Sequence, residues 1–202
     1  ALDGGQYEVL GNAVYDYQWS LSGSLVQLTP LIHTGLYWRG GVEGGAPKVW
    51  SAANWVTDAS GAGTSVQRPV GTEMVYLSAS NALAADQLGM TLGADASVLG
   101  INMTTASPAT LLNDGYTLAT GSSGISMASG AGAFSIAPAM VLAGGQSWIN
   151  LGAGTLTVSG SIATAGNALE IGGSGSTVLS GIINGAGSVS KVGAGSLWLT
   201  GA

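Results

Sequence analysis

Gly154-Thr155-Leu156-Thr157-Val158-Ser159-Gly160, Thr177-Val178-Leu179-Ser180-Gly181 and Gly195-Ser196-Leu197-Trp198-Leu199-Thr200-Gly201 are three versions of one phrase, apolar and hydroxyl residues closed by glycine. Taking Ile136, Val158, Leu179 and Leu199 as equivalent positions gives steps of 22, 21 and 20 residues. A second register through Ile149, Glu170 and Ser190 advances by 21 and 20 residues in step with it. Alternation at period 2 predicts short strands. Brief strands at such spacing suit an antiparallel sandwich or barrel as well as a solenoid. Only the solenoid requires a fixed self-similar period, because each coil must lie in register on the one below. The expected fold is all-β, a parallel β-helix (β-solenoid) with two strands per repeat and coils about 4.8 Å apart. Ile136, Val158, Leu179 and Leu199 then form an apolar ladder between coils.

Composition agrees. Only 7% of the 202 residues are charged, while 35 are glycine. An amphipathic helix needs a polar face, usually built from charged side chains, and the chain has four Lys and Arg in total. Disorder calls for low hydrophobicity with high net charge, and the mean hydropathy here is positive. No run reaches the 18 or so apolar residues of a spanning helix, so no membrane insertion of this segment is expected. Ala1-Leu2-Asp3-Gly4-Gly5 lacks the pattern of a signal peptide, which reads as a cytosolic chain or as one matured or excised from something longer. The absence of cysteine removes disulfides, thiolate metal sites and cysteine nucleophiles together. A net charge of −6 argues against nucleic acid and anionic membranes as partners.

Three segments are expected. Residues 1–33 form an N-terminal β-hairpin or the end of a preceding unit: Tyr15, Tyr17, Trp19 and Leu21 alternate, Gly23-Ser24 turns, and Leu25 to Thr29 returns. Residues 34–72 form a Trp- and Gly-rich cap and loop, holding three of the six tryptophans, Trp38, Trp50 and Trp55, and then a Gly/Ser/Thr stretch from 56 onwards. Residues 73–202 carry the solenoid repeats, with a strand at Glu73 to Leu77 and a turn or lone helical turn at Ala82 to Leu88.

Ser188-Val189-Ser190-Lys191-Val192-Gly193-Ala194-Gly195-Ser196-Leu197-Trp198-Leu199-Thr200-Gly201, with Asn184-Gly185-Ala186-Gly187 before it, resembles the autotransporter-associated β-strand repeat. That pattern runs roughly Gly-x-Gly-x-Leu-x-Lys-x-Gly-x-Gly-Thr-Leu-x-Leu-x-Gly. The likeness is specific over 179–201 and looser over 125–178. The stretch with Trp38, Trp50, Asn54 and Trp55 is similar to segments that open such arrays. Ser188-Val189-Ser190 departs from the pattern, which has Leu before the Lys. The resemblance implies a right-handed parallel β-helix, an extracellular or cell-surface location in a Gram-negative bacterium, and a structural role as stalk, fibre or adhesin. Open rung ends add self-association into filaments as an expectation, beside a glycan or host-surface partner.

The residues themselves point to no catalytic centre, metal or cofactor. A β-helical lyase needs clustered acids for calcium with a basic residue near them, and the ten acids here are scattered singly. Glu170 and Lys191 stand 21 residues apart, one coil, and are expected side by side as a surface ion pair, a weak interaction. They are also the pair a polysaccharide-degrading enzyme would use. His33, the single histidine, reads as a loop residue with no triad spacing. Gly172-Gly173-Ser174-Gly175-Ser176 lacks the Asp of a calcium nonapeptide, and no glycine run ends in the Lys-Ser or Lys-Thr of a phosphate loop. Core or cap is the simpler role for Trp38, Trp50 and Trp55. The alternative is a carbohydrate-binding module, in which those rings stack on sugar and Asn54, Arg39 and Asp58 bond its hydroxyls.

Overall fold

A computed structural model describes residues 16–22, 25–31, 35–40, 48–63, 65–66 and 68–201. Asp16–Ser22 pairs antiparallel with Leu25–Leu31, Ser22 opposite Leu25, as a separate two-stranded sheet. That is the predicted hairpin. Which way its alternating aromatics point, and the place of His33, lie outside the described residues.

The rest winds as a parallel solenoid of about six turns. Each full coil presents three faces. The first face stacks Ala109–Leu111, Phe134–Ile136, Leu156–Val158, Thr177–Leu179 and Leu197–Leu199. The second stacks the leading halves of Ala96–Met103 and Thr117–Met127 under Ala139–Leu142, Ile162–Ala163 and Ile183–Asn184. The third stacks Gly35–Trp38, Met74–Leu77, the trailing halves of the same two long strands, Gln146–Asn150, Leu169–Gly173 and Val189–Lys191. The expectation of two strands per repeat therefore gives way to three, because the second face shrinks to two-residue strands in its upper coils, too short to show a period.

The predicted ladder is present: Ile136 faces Val158, Val158 faces Leu179, and Leu179 faces Leu199. Ile136, Val158 and Leu179 are fully buried. The register through the third face needs correction, since Glu170 lies over Ser147, and Ile149 lies under Gly172. The inward row there is Val75, Ile101, Ile125, Trp148 and Ile171, with Lys191 above it.

Glycine lets the coils close up at the corner after the first face. A Cβ on Gly160 would stand 1.8 Å from the Pro138 carbonyl oxygen, one on Gly181 1.9 Å from that of Gly160, and one on Gly201 2.3 Å from that of Gly181. A second corner bends rather than turns. The long strands Ala96–Met103 and Thr117–Met127 pass from the second face to the third without a break, their register shifting between Val98 and Gly100. At the bend Gly124 adopts φ +60°, and a Cβ there would meet the Ser147 carbonyl at 2.2 Å.

The two ends of the stack differ. Below, Trp55–Val56 pairs antiparallel with Gly35–Trp38, and Ser65–Val66 pairs with Trp55–Val56 in turn, covering the lower edge of the third face. Part of the stretch expected to be loop is thus strand, held because Trp55 and Val56 are both buried. Above, nothing among the described residues pairs with the last rung. Leu199 is 58% exposed although it continues a buried ladder, and Val189 is 37% exposed.

Candidate functional site

The tryptophan segment folds as a plug. Trp38, Trp50 and Trp55 have no exposed surface. Trp55 packs edge-to-face against both others, with centroid separations of 5.1 Å to each. Its indole N–H donates to the Trp50 carbonyl at 2.9 Å, and that of Trp38 donates to the Asp86 carbonyl at 3.0 Å, in the 3-10 turn Ala84–Gln87. That turn falls where a lone helical turn was expected. Asn54 is 7% exposed and donates from Nδ2 to the Val49 carbonyl at 3.0 Å. The reading of Trp38, Trp50, Trp55 and Asn54 as a sugar platform is corrected on this geometry: stacking needs an open ring face, and each of these rings is enclosed by protein.

Asp58 is also committed to its own loop. Its Oδ1 accepts from the Ser60 hydroxyl, from Ser60 N at 2.8 Å and from Gly61 N at 3.2 Å. The Ser60 hydroxyl, more than the backbone donors, holds its carboxyl below the ordinary carboxylate range.

Glu170 and Lys191 do not meet. Ser190 stands over Glu170, while Lys191 stands over Ile171 in the inward row. A shift of one residue moves a side chain to the opposite face of a strand, and the spacing of 21 exceeds the local register step of 20. The Lys191 ammonium donates instead to the carbonyls of Val192 at 2.6 Å and Gly193 at 2.9 Å.

Glu170 belongs to a cleft that sequence reasoning did not anticipate. On the outer side of the bend between the second and third faces, a concavity of about 430 Å³ spans several coils. Its walls include Ser122, Ser123, Ser126, Ser147, Ile149 and Glu170, with Ser190 at the upper end. Gln146 also lines it, but its amide is already engaged: Nε2 donates to Thr120 O at 2.9 Å and Oε1 accepts from Trp148 Nε1 at 2.9 Å. The Glu170 carboxylate receives the Ser147 hydroxyl at 3.3 Å. The hydroxyls of Ser122, Ser123, Ser126 and Ser190 make no hydrogen bond among the described residues. In sequence Ser122, Ser123 and Ser126 sit in a glycine-containing run that gives no strand signal, while Ser147 and Ser190 fall in strand-like runs; the bend at Gly124 brings the two groups to one concavity.

Among the described residues, no three His, Asp or Glu side chains stand together so as to hold a metal ion. The chain matches no protein-family model, and no curated protein or solved structure gives a significant match to it.

Proposed function

We propose that the chain is a non-enzymatic structural segment of a bacterial surface or secreted protein, a stalk, fibre or adhesin part whose work is done by the coil itself. The observation that carries this reading is the stacking of three parallel backbone ladders, the third face running from Met74 to Lys191, the second from Ala96 to Asn184 and the first from Ala109 to Leu199, with a register shift between Val98 and Gly100 at the bend. Such stacking makes a stiff rod without disulfides or many ion pairs, each coil held by its neighbours. The location outside the cell rests on the likeness of residues 184–201 to the autotransporter-associated repeat. On intact cells of a Gram-negative host that makes the protein from its native gene, an antibody raised against the folded chain is expected to bind without permeabilisation. Signal that appears only after the envelope is opened would sink the extracellular reading.

Self-association belongs to the same proposal, in a restricted form. The last rung offers unpaired strand edges beside exposed Val189 and Leu199, and open edges invite strand pairing. The opposite end is plugged by Trp38, Trp50 and Trp55, so a head-to-tail filament would have to displace the plug. Residues 1–202 by themselves are therefore expected to join as two copies at these edges, as a monomer–dimer equilibrium in sedimentation at rising concentration. A pure monomer at every concentration would end this part of the proposal, and long polymers would show that the plug does not limit growth.

A further inference from the structure

The cleft at the bend is a better place for a ligand than the tryptophans, and its chemistry is selective. Four serine hydroxyls without protein partners can each donate and accept. Beside them stands one carboxylate, Glu170, which only accepts. Lys191, the nearest cation in sequence, is turned to the carbonyls of Val192 and Gly193, and it is not part of the cleft wall. Anionic ligands thus meet a carboxylate and a chain of net charge −6. Ile149 adds an apolar surface on the same wall. A ligand that fits has many hydroxyl donors for Glu170, acceptors for the serines, and a C–H face for Ile149.

We propose that this cleft binds a neutral oligosaccharide lying across the coils. A volume of about 430 Å³ falls within the range of small-molecule sites. The cleft is lined from successive rungs, with Ser126 under Ile149 and Ser147 under Glu170 under Ser190, so an extended ligand meets a fresh set of groups about every 4.8 Å. This goes beyond the structural role: the coil could be a surface stalk with no sugar site, or bind sugar without being at the surface.

The test is amide chemical-shift mapping of the full 202-residue chain against named probes. These are the hexasaccharides of β-1,4-glucose, α-1,4-glucose and β-1,4-mannose, with oligogalacturonate and spermidine as charged controls. At least one neutral hexasaccharide is expected to shift the amides of Ser122 to Ser126, Ser147 and Glu170 in a saturable way. Glu170→Gln is expected to weaken it about tenfold, as loss of a charge-assisted bond implies. Ser126→Arg, an outward position, should block binding while circular dichroism stays unchanged. The proposal is overturned if no neutral probe shifts these amides, if both variants bind as well as the parent, or if either charged control binds more tightly than the sugars.

Discussion

Gly181→Val is expected to cost about 3 kcal/mol or more of stability, the upper end of the range for forcing atoms into a packed site. The added Cβ would sit 1.9 Å from the Gly160 carbonyl oxygen and 2.4 Å from its carbon, and both are backbone atoms of the coil beneath. A side chain can rotate away; a hydrogen-bonded rung cannot. The whole upper rung would have to lift, straining the bond from Ser180 N to the Val158 carbonyl, 2.9 Å long. Gly130 offers the contrast, with φ +82° and nothing within 4 Å of a built Cβ. Gly130→Ala should cost only about 1 kcal/mol, from the backbone conformation alone. Denaturant unfolding of both variants measures the difference, and a Gly181→Val loss under about 1 kcal/mol would show that the coils are not in such close contact.

Trp55→Ala is expected to cost about 4 kcal/mol, within the range for removing a buried large aromatic. For a chain of this size that corresponds to a fall in Tm of roughly 10 °C. Trp55 is the hub of the plug, touching Trp38 and Trp50 edge-on and donating to the Trp50 carbonyl. Its strand also covers the free side of Gly35–Trp38. Truncation should therefore speed hydrogen exchange at residues 35–38 and 48–56 before it affects the upper coils. Unchanged exchange there, with Tm within 2 °C of the parent, would mean that Trp55 does not hold the lower end together.

The first face was legible because its strands repeat a three-residue pattern with two inward apolar positions, as in Leu156 and Val158, closed by a glycine with one physical purpose. The second face was not, because Ile162–Ala163 and Ile183–Asn184 each offer a single inward side chain, and one residue has no periodicity. The third face misled by two residues because Gln146 and Asn150 point inward beside Trp148. Polarity alone assigns them to solvent. Each has a partner far off in sequence: Asn150 Nδ2 donates to Ser176 O at 2.8 Å and Gln146 Nε2 to Thr120 O at 2.9 Å. A separate one-residue error placed Lys191 beside Glu170, because their spacing of 21 exceeds the local step of 20 between Glu170 and Ser190. The core-or-cap role of Trp38, Trp50 and Trp55 was legible in their clustering and is what their burial shows; the gathering of serines into a cleft depends on how strands fold over one another, which spacing along the chain does not encode.

Taken by itself, the stack of residues 35–201, plugged below and with no described strand above its last rung, has a direction in its energetics. Each rung touches only the rungs above and below it, so the terminal one, with Leu199 and Val189 half out of the core, opens for the least free energy. Opening it leaves the next rung in the same position. Loss of structure is then expected to travel downward like a zip towards Trp38, Trp50 and Trp55, the last part of the stack to open.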